Sequence, residues 1–473
     1  MYLLVLSSFG WARGQGRDVR VRSFRRLGAT SVAQRVSWRW RDRVAAVFAA
    51  ILTIAGCGGG GGSGIPVTFS LLVEVRTPSQ ENLTWTPHPG GVTNYQVHRN
   101  GALAFTTSSP GSPLMDFNLD PDTQYCYIVY AVVFPLGSVG RSNEVCARTL
   151  TTAPWRLETI DGAAASAGSN SLINDAADKL HVSYRRSDGI VYATNSSGPW
   201  ISTVIAGISG AFDDPAIALD TAGAVHVSYN DPGSGVLKHA TNASGFWVDS
   251  SIDTTGFGSA IVVDSSNKIH VSYAENGPFG RFLSYALNQT GTWTPEFVSG
   301  ASGVSDTALA VDSAGAAHIA YVAGSGLCAV RYATKASGSW VDTLIASNAG
   351  CAAAIVLDVT GKAHIVYMQS FDLMYATNAS GAWVTISVDQ LDWIGFPDVS
   401  ITRDSSGVLH VNYQDQNADL KYATNASGVW ATFYIDARGN VGAGNAVRVN
   451  SDGSVHITYF DTTNTQLKHA TDR

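Results

Sequence analysis

The sequence predicts an all-β protein, and three observations support this prediction. A His-Val/Ile-x-Tyr motif occurs seven times between residues 155 and 473, at intervals of 44 to 48 residues. Glycine contributes 48 of the 473 residues, which disfavours long helices. Charged residues make up 14% of the chain and hydrophobic residues 45%, a balance that disfavours disorder and provides for a large core.

Each repeat divides into four strand-like segments, which we name a to d. In the second repeat these segments are DDPAIALD, AVHVSY, GVLKHAT and FWVDSSID. The a–b turn has the form D-x-x-G and the c–d turn the form N-A-S-G, and both consist of residues that favour tight turns. Four-stranded units of about 40 to 50 residues predict a β-propeller, which we assign to residues 153–473.

The two ends of the repeat region predict how the ring closes. The last repeat stops after segment c, and an additional d-type segment at residues 155–160 precedes the first repeat. We therefore expect strand 155–160 to complete the last unit and to close a seven-bladed ring. Closure of this kind removes the exposed sheet edges that invite aggregation.

Residues that recur once in every repeat are expected to be structural rather than catalytic. Each repeat carries an Asp or Asn six residues before its His and a Tyr three residues after it. The Asp-x-x-Gly-x-x-His pattern loosely resembles the Asp-box (BNR repeat) of sialidase-like propellers. Because His stands where that motif has an aromatic residue, no sialidase residue is assigned here. The repeated histidines are His181, His226, His270, His318, His364, His410 and His456.

The N-terminal segment, residues 1–56, has the composition of an export signal. It carries ten Arg and two Asp and includes an uncharged apolar run at 44–54. A basic stretch, a short apolar stretch and small residues indicate a secretory signal, and eleven apolar residues are too few to span a bilayer. The Gly-rich segment 57–65 that follows predicts an unstructured tether.

The end of this segment, Ile54-Ala55-Gly56-Cys57, resembles the lipobox of bacterial lipoproteins. The resemblance implies that Cys57 is acylated and that the mature protein is anchored in the bacterial cell envelope. Gly58 stands where an Asp often marks inner-membrane retention in that family, so the resemblance favours the outer membrane or the cell surface. The alternative is a plain signal peptide without lipid.

Residues 66–152 consist of short strand-like segments between turns, which predicts a small β domain. Leu119, Pro121, Thr123 and Tyr125 form the pattern L-x-P-x-T-x-Y. This pattern resembles the tyrosine corner of fibronectin type III domains. The resemblance implies a β-sandwich that serves as a spacer or adhesive module without catalysis.

Five cysteines agree with export from the cytoplasm. With Cys57 assigned to lipid, four remain, and two disulfides would leave no free thiol outside the cytoplasm. Cys126 and Cys146 lie on the last two strands predicted for the small domain, and Cys328 and Cys351 lie in consecutive repeats. We expect the pairs Cys126–Cys146 and Cys328–Cys351.

Function is expected where the repeats differ, in the b–c and d–a connections, because ligand sites on a rigid scaffold usually lie in variable loops. Trp393 lies in the longest d–a connection, beside carboxylates, where it suits stacking on a sugar or contact with a peptide. A Trp that only caps the rim of the ring is the alternative. The candidate ligand-binding residues are Trp393, Asp392, Phe396, Arg185, Arg186, Asp213, Asp214, Asp231, Glu275, Arg281, Asp372, Asp415 and Arg438.

Charge and motifs narrow the functional class. From Cys57 onward the chain has 20 basic and 35 acidic residues, a net of −15, which disfavours nucleic acid as a partner. No phosphate-binding loop, HExxH motif or nucleophile elbow is present, and no ligand spacing specifies Ca²⁺, so we expect neither cofactor nor metal. We expect a monomeric protein that binds a glycan or a protein. The alternatives are a polysaccharide lyase or glycosidase acting at the same loops, and a non-catalytic scaffold in a surface complex.

Overall fold

The computed structural model describes one compact unit of the chain. The residues it describes are 65–75, 77–108, 114–117, 119–152, 155–163, 168–207, 215–277, 280–324, 328–369, 372–390 and 398–473. The predicted export segment, Cys57 and the tether lie outside these ranges. The described part is all-β and contains no helix, so it offers no helical segment that could cross a membrane.

The N-terminal domain, residues 65–152, consists of two sheets. One sheet has the order β1-β8-β7-β4-β5 with β9 also paired to β7, and the other has the order β2-β3-β6. Leu83, Val97, Tyr127 and Val129 are fully buried in its core. The strands are β1 Val67–Phe69, β2 Leu71–Val75, β3 Glu81–Trp85, β4 Asn94–Arg99, β5 Ala102–Thr107, β6 Leu114–Asp116, β7 Gln124–Val133, β8 Gly137–Ser142 and β9 Val145–Arg148.

Two predicted features of this domain are present. The Tyr125 hydroxyl accepts the backbone N–H of Asp120 at 2.9 Å, so the tyrosine fixes the chain just before β7. The predicted disulfide Cys126–Cys146 is confirmed, and it joins β7 to β9, where the two cysteines face each other across the strand pair.

The repeat region, residues 155–473, contains the predicted four-strand units, which we number one to seven. Units one, two, three and six are separate antiparallel sheets, each in the strand order a-b-c-d. Unit one contains β11 Asn170–Asn174, β12 Leu180–Arg186, β13 Gly189–Thr194 and β14 Ile201–Ala206, and unit two contains β15 Ala216–Leu219, β16 Val225–Asp231, β17 Val236–Thr241 and β18 Val248–Asp253. Unit three contains β19 Phe257–Val263, β20 Ile269–Gly277, β21 Gly280–Asn288 and β22 Trp293–Ser299. Unit six contains β30 Val399–Arg403, β31 Leu409–Gln414, β32 Leu420–Thr424 and β33 Ala431–Asp436.

Units four and five differ from the sequence prediction because they share one strand. Strand β26, Val341–Leu357, pairs with β25 of unit four and with β27 of unit five, so seven strands form one sheet. The register shifts between Ala349 and Ala353, where the strand passes from one unit to the next. The other strands are β23 Asp306–Val311, β24 Ala317–Ala323, β25 Cys328–Thr334, β27 Ala363–Gln369, β28 Asp372–Thr377 and β29 Val384–Gln390.

Unit seven combines the two ends of the repeat region. Strand β10, Arg156–Asp161, pairs antiparallel with β36, Gln466–Thr471, and Glu158 lies opposite His469. Strands β34 Val441–Val449 and β35 Val455–Asp461 complete the sheet in the order β10-β36-β35-β34. The first strand of the repeat region therefore occupies the position of strand d behind the last repeat.

Neighbouring units contact each other through their aromatic residues. The Tyr or His of strand c in one unit packs on the Trp of strand d in the next unit, with ring centroids 5.1 to 5.7 Å apart. The a strands are also neighbours in series, and β34 of unit seven lies beside β11 of unit one. The aromatic pairs are Tyr192–Trp247, His239–Trp293, Tyr285–Trp340, Tyr332–Trp383, Tyr375–Trp430, Tyr422–Trp155 and His469–Trp200.

Candidate functional site

The repeated histidines lie in the interior of their units. In five units Nδ1 of the His is 2.6 Å from the hydroxyl of the strand-c Tyr, as for His181 and Tyr192. In units one to six Nε2 faces the Asp six residues earlier, at 3.3 to 3.8 Å. Burial lowers the pKa of His181 and of the other six, so they are neutral at pH 7. This geometry assigns them to packing.

The a–b and c–d turns, which we call the turn end, are fixed by their own side chains. In the first unit Oδ1 of Asp175 accepts the backbone N–H groups of Ala177 and Lys179, both at 2.8 Å, and units two to six repeat this pattern. Asn195 of the c–d turn accepts the N–H of Leu180 at 2.8 Å. Most polar groups that recur at the turn end therefore serve the backbone.

The b–c and d–a connections lie at the opposite end, which we call the loop end, because the four strands of each unit alternate in direction. Two candidate residues there make structural contacts. Arg186 binds both oxygens of Asp188 at 2.7 and 2.9 Å and donates to Asp161 of β10 at 2.9 Å. Asp231 caps its own b–c turn by accepting from Gly233 and Ser234.

Asp415 is buried in a loop, residues 415–419, that contacts the N-terminal domain. It is only 5% exposed, and its Oδ1 accepts the N–H groups of Asn417 and Asp419. The hydroxyl of Ser79 in the N-terminal domain donates to the carboxylate of Asp419, with oxygen–oxygen distances of 2.7 and 2.9 Å. The predicted role of Asp415 in ligand binding stays a prediction, and the structure places its loop in a contact between the two domains.

This contact contains two carboxyl groups with raised proton affinity. Burial, together with the charge of Asp415, raises the pKa of Asp419 to about 8, and burial also raises the pKa of Asp415. The charge of Lys421 lowers the pKa of both carboxyl groups, but its ammonium group pairs with Asp389 of unit five. Burial therefore favours the protonated form of the Asp419 carboxyl group in the folded protein.

The remaining described candidates lie at the loop end of four units. Arg281 is exposed and its guanidinium carbon lies 4.7 Å from the centroid of the Phe257 ring. Glu275 accepts from Ser284 at 2.6 Å, Asp372 accepts from Ser387 at 3.3 Å, and Arg438 is exposed. No hydrogen bond or ion pair in the described part of the chain joins any two of these residues or Arg185, so they line the end without forming one cluster.

Several predicted site residues lie outside the described residues: Trp393, Asp392, Phe396, Asp213 and Asp214. Cys328 is disulfide-bonded, but the side chain of Cys351 is likewise outside the described part. Among described residues, the side chains of Cys126, Glu144 and Cys146 come close enough to hold a metal, yet the disulfide occupies both sulfur atoms.

Two sets of polar contacts escaped sequence analysis. Three d strands end in Asp and a fourth has Asp389 one residue before its end. Each of these carboxylates accepts from the buried strand-b Tyr of the next unit, as Asp436 does from Tyr459 at 2.8 Å. The repeated Ile/Val-Asp ending of strand d was the available signal. The contact of Ser79 with Asp419 had no signal, because it joins single residues of two different domains.

Comparison with known proteins gives structural neighbours only. No protein-family profile matches the chain, and no curated protein is similar in sequence. Aleuria aurantia lectin bound to Fucα1-6GlcNAc is 17% identical, with a TM-score of 0.42, covering 57% of this chain and 96% of the lectin. An arginine-substituted mutant of AofleA from Arthrobotrys oligospora is 13% identical, with a TM-score of 0.44, covering 61% and 92%.

An ulvan lyase of polysaccharide lyase family PL25 is 11% identical to this chain, with a TM-score of 0.48, covering 66% of this chain and 93% of the lyase. All three TM-scores are below 0.5. The likeness therefore assigns no activity, and the functional argument rests on the geometry of this chain.

Proposed function

We propose that this protein is a lipid-anchored, extracytoplasmic glycan-binding protein whose repeat region is a seven-bladed β-propeller. One observation carries the proposal. The a strands of neighbouring units lie side by side, and this arrangement brings the variable connections of all units to one end. The turn end is occupied by side chains that hold the backbone. A ligand surface assembled from several blades would therefore form at the loop end.

Three contacts support the seven-bladed ring. Trp155 packs on Tyr422, Trp200 packs on His469, and β34 lies beside β11. Each of these contacts joins the start of the repeat region to its end. With the contacts between consecutive units, they leave every unit with a neighbour on both sides.

The N-terminal domain supports a fibronectin type III-like module. Its two sheets enclose one core, and the bond from the Asp120 N–H to the Tyr125 hydroxyl is the bond a tyrosine corner makes. We propose that this module holds the propeller beyond the Gly-rich tether. The hydrogen bond from its Ser79 to Asp419 joins the module to unit six of the propeller.

The lipid anchor is proposed from the Ile54-Ala55-Gly56-Cys57 motif. Cells that express the full-length chain should incorporate an alkyne-tagged fatty acid into it, and Cys57→Ser should abolish the label. Fractionation of the labelled cells tests the proposed location at the outer membrane or cell surface. Label that persists in Cys57→Ser would refute acylation at this thiol.

A glycan suits the loop end because its residues offer both hydrogen-bond acceptors and hydrogen-bond donors. Glu275 and Asp372 are acceptors, Arg281 and Arg438 are donors, and the sequence adds Trp393 as an aromatic face for a sugar ring. Neutral polyhydroxylated ligands need all three. A nucleic acid would instead need a basic surface.

The experiment is a glycan array probed with purified full-length protein. Trp393→Ala is expected to weaken binding by at least about tenfold, because a lost aromatic anchor removes much of a small site's affinity. Phe246→Ala is the matched control, since Phe246 is 80% exposed at the turn end. Absence of binding to every glycan would refute the proposal, and cleavage of a bound polysaccharide would indicate an enzyme instead.

A further inference from the structure

A cavity of about 500 Å³ lies at the turn end, between units three and four. Its walls come from the c–d hairpin of unit three and from the a–b turn and c–d turn of unit four. Residues on these walls include Leu287, Gln289, Pro295, Glu296, Ala317 and Lys335. The cavity is at the opposite end of the repeat region from the loop-end surface.

The sequence of unit four explains why space is present here. The two positions before the repeated His are Ala316 and Ala317, and both line the cavity. Every other unit has at least one larger side chain at these positions. The corresponding pairs are Lys179-Leu180, Ala224-Val225, Lys268-Ile269, Lys362-Ala363, Val408-Leu409 and Ser454-Val455.

Two charged residues at this cavity also depart from the repeat. Lys335 stands where the other repeats have Asn or Asp, the residue that accepts a strand-b N–H in units such as the fifth, where Asn378 accepts from Ala363. A lysine cannot accept, so unit four lacks this side-chain cap. Instead the Lys335 ammonium contacts both oxygens of Glu296, at 2.6 and 2.7 Å.

A gain in folding stability does not explain why Lys335 replaces the Asn or Asp of the other repeats. The side chains of Lys335 and Glu296 are 37% and 34% exposed, and ion pairs with that exposure contribute little to folding. The pair replaces a hydrogen bond that holds a turn in the other units. Glu296 also accepts the indole N–H of Trp340 at 3.2 Å, which fixes the carboxylate at the cavity wall.

We infer that this cavity is a second ligand site, which binds a neutral saccharide through the Lys335–Glu296 pair. An ammonium donor beside a carboxylate acceptor complements two neighbouring hydroxyl groups, and the pair carries no net charge that would favour an ionic ligand. Leu287 and Pro295 offer apolar contact to the C–H face of a sugar ring. The hydroxyl of Tyr285 is committed to His270, at 2.6 Å, so recognition falls to the ion pair and to Gln289.

The experiment is calorimetric titration of the full-length protein with methyl glycosides of neutral hexoses and deoxyhexoses at millimolar concentrations. Lys335→Asn introduces the residue that five of the other six repeats have, and it should keep the melting temperature while it weakens this binding at least tenfold. Ala316→Lys places at the cavity wall the side chain that unit three has at the same position, Lys268, and should abolish binding. Unchanged affinity in both variants, or no titratable binding in the wild type, would overturn the inference.

Trp393→Ala separates this site from the proposed loop-end site. Binding that survives Trp393→Ala but is lost in Lys335→Asn supports the turn-end cavity whatever the loop end does. Binding that survives Lys335→Asn but is lost in Trp393→Ala refutes the cavity and leaves the loop-end proposal standing.

Discussion

Trp155 packs against Tyr422 with ring centroids 5.4 Å apart, so the first residue of the repeat region contacts strand c of its sixth unit. The same contact between consecutive units occurs within the chain, as between Trp430 and Tyr375, also at 5.4 Å. The aromatic contact that joins the two ends of the repeat region is therefore the same contact that joins consecutive units within it. The N-terminal strand behaves as a member of the last unit.

Replacing Trp155 by Ala should destabilise the repeat region as much as the same change at an internal junction. We expect Trp155→Ala and Trp430→Ala each to lower the free energy of unfolding by about 2 kcal/mol, because both indoles are half-buried. Chemical denaturation measures both. If Trp155→Ala were neutral while Trp430→Ala was destabilising, β10 would not complete unit seven.

Ser79→Ala should weaken the contact between the N-terminal domain and unit six. The variant removes the donor to the buried carboxyl group of Asp419, so the loop 415–419 should exchange its amide hydrogens faster. Ser70→Ala is the control, since Ser70 is exposed on the same domain. Equal protection of the loop in the wild type and in Ser79→Ala would show that the contact does not hold the domains together.

The buried loop 415–419 should lose stability as the pH rises. The pKa of Asp419 is about 8 in the folded protein and about 4 in an unfolded chain, so its protonated form is favoured by folding. The stabilisation is complete below pH 4 and is lost progressively as the pH rises towards 8. Faster exchange of loop 415–419 at pH 9 than at pH 6, after correction for intrinsic rates, is the expected result, and Asp419→Asn should reduce the difference.

Glu81 should make the N-terminal domain less stable at high pH. Burial raises its pKa to about 7, and Asp116 lies directly opposite it across the β3–β6 pair. A raised folded pKa means that stability is greatest below about pH 4 and falls as the pH rises through 7. Glu81→Gln should stabilise the domain by about 2 kcal/mol at pH 8 and little at pH 4.

Glu144→Gln is the matched control for Glu81, because Glu144 is exposed in the same domain. Thermal melts of both variants at pH 4 and pH 8 test this prediction. A pH-independent effect of Glu81→Gln would mean that the carboxyl group is not titrating in this range.

Sequence periodicity predicted what is repeated. The His, Tyr and Trp positions and the strands around them recur in every unit because each unit must pack on its neighbours in the same way. The strand assignment of the repeats and the place of residues 155–160 could be derived from these patterns, and the disulfide Cys126–Cys146 from the cysteine count and the strands predicted for the N-terminal domain. The boundary between units four and five could not be predicted, because the continuity of β26 depends on a register shift that no residue pattern marks.

The candidate site could be predicted only in part. Acidic residues at the loop end look alike in sequence whether they face solvent, cap a turn as Asp231 does, or are buried as Asp415 is. Which of these applies depends on contacts such as Ser79 to Asp419, which join residues 340 positions apart. The cavity between units three and four was hidden for a related reason, because its origin is two small side chains visible only when the repeats are aligned.

The most direct test of glycan binding at the loop end is amide hydrogen exchange of the full-length protein with and without the glycan that binds best on the array. Protection at residues 274–283 and 436–441, with no change at the turn-end segment 242–247, is the expected result. Protection confined to turn-end segments, or none anywhere at saturating glycan, would contradict a binding surface at the loop end.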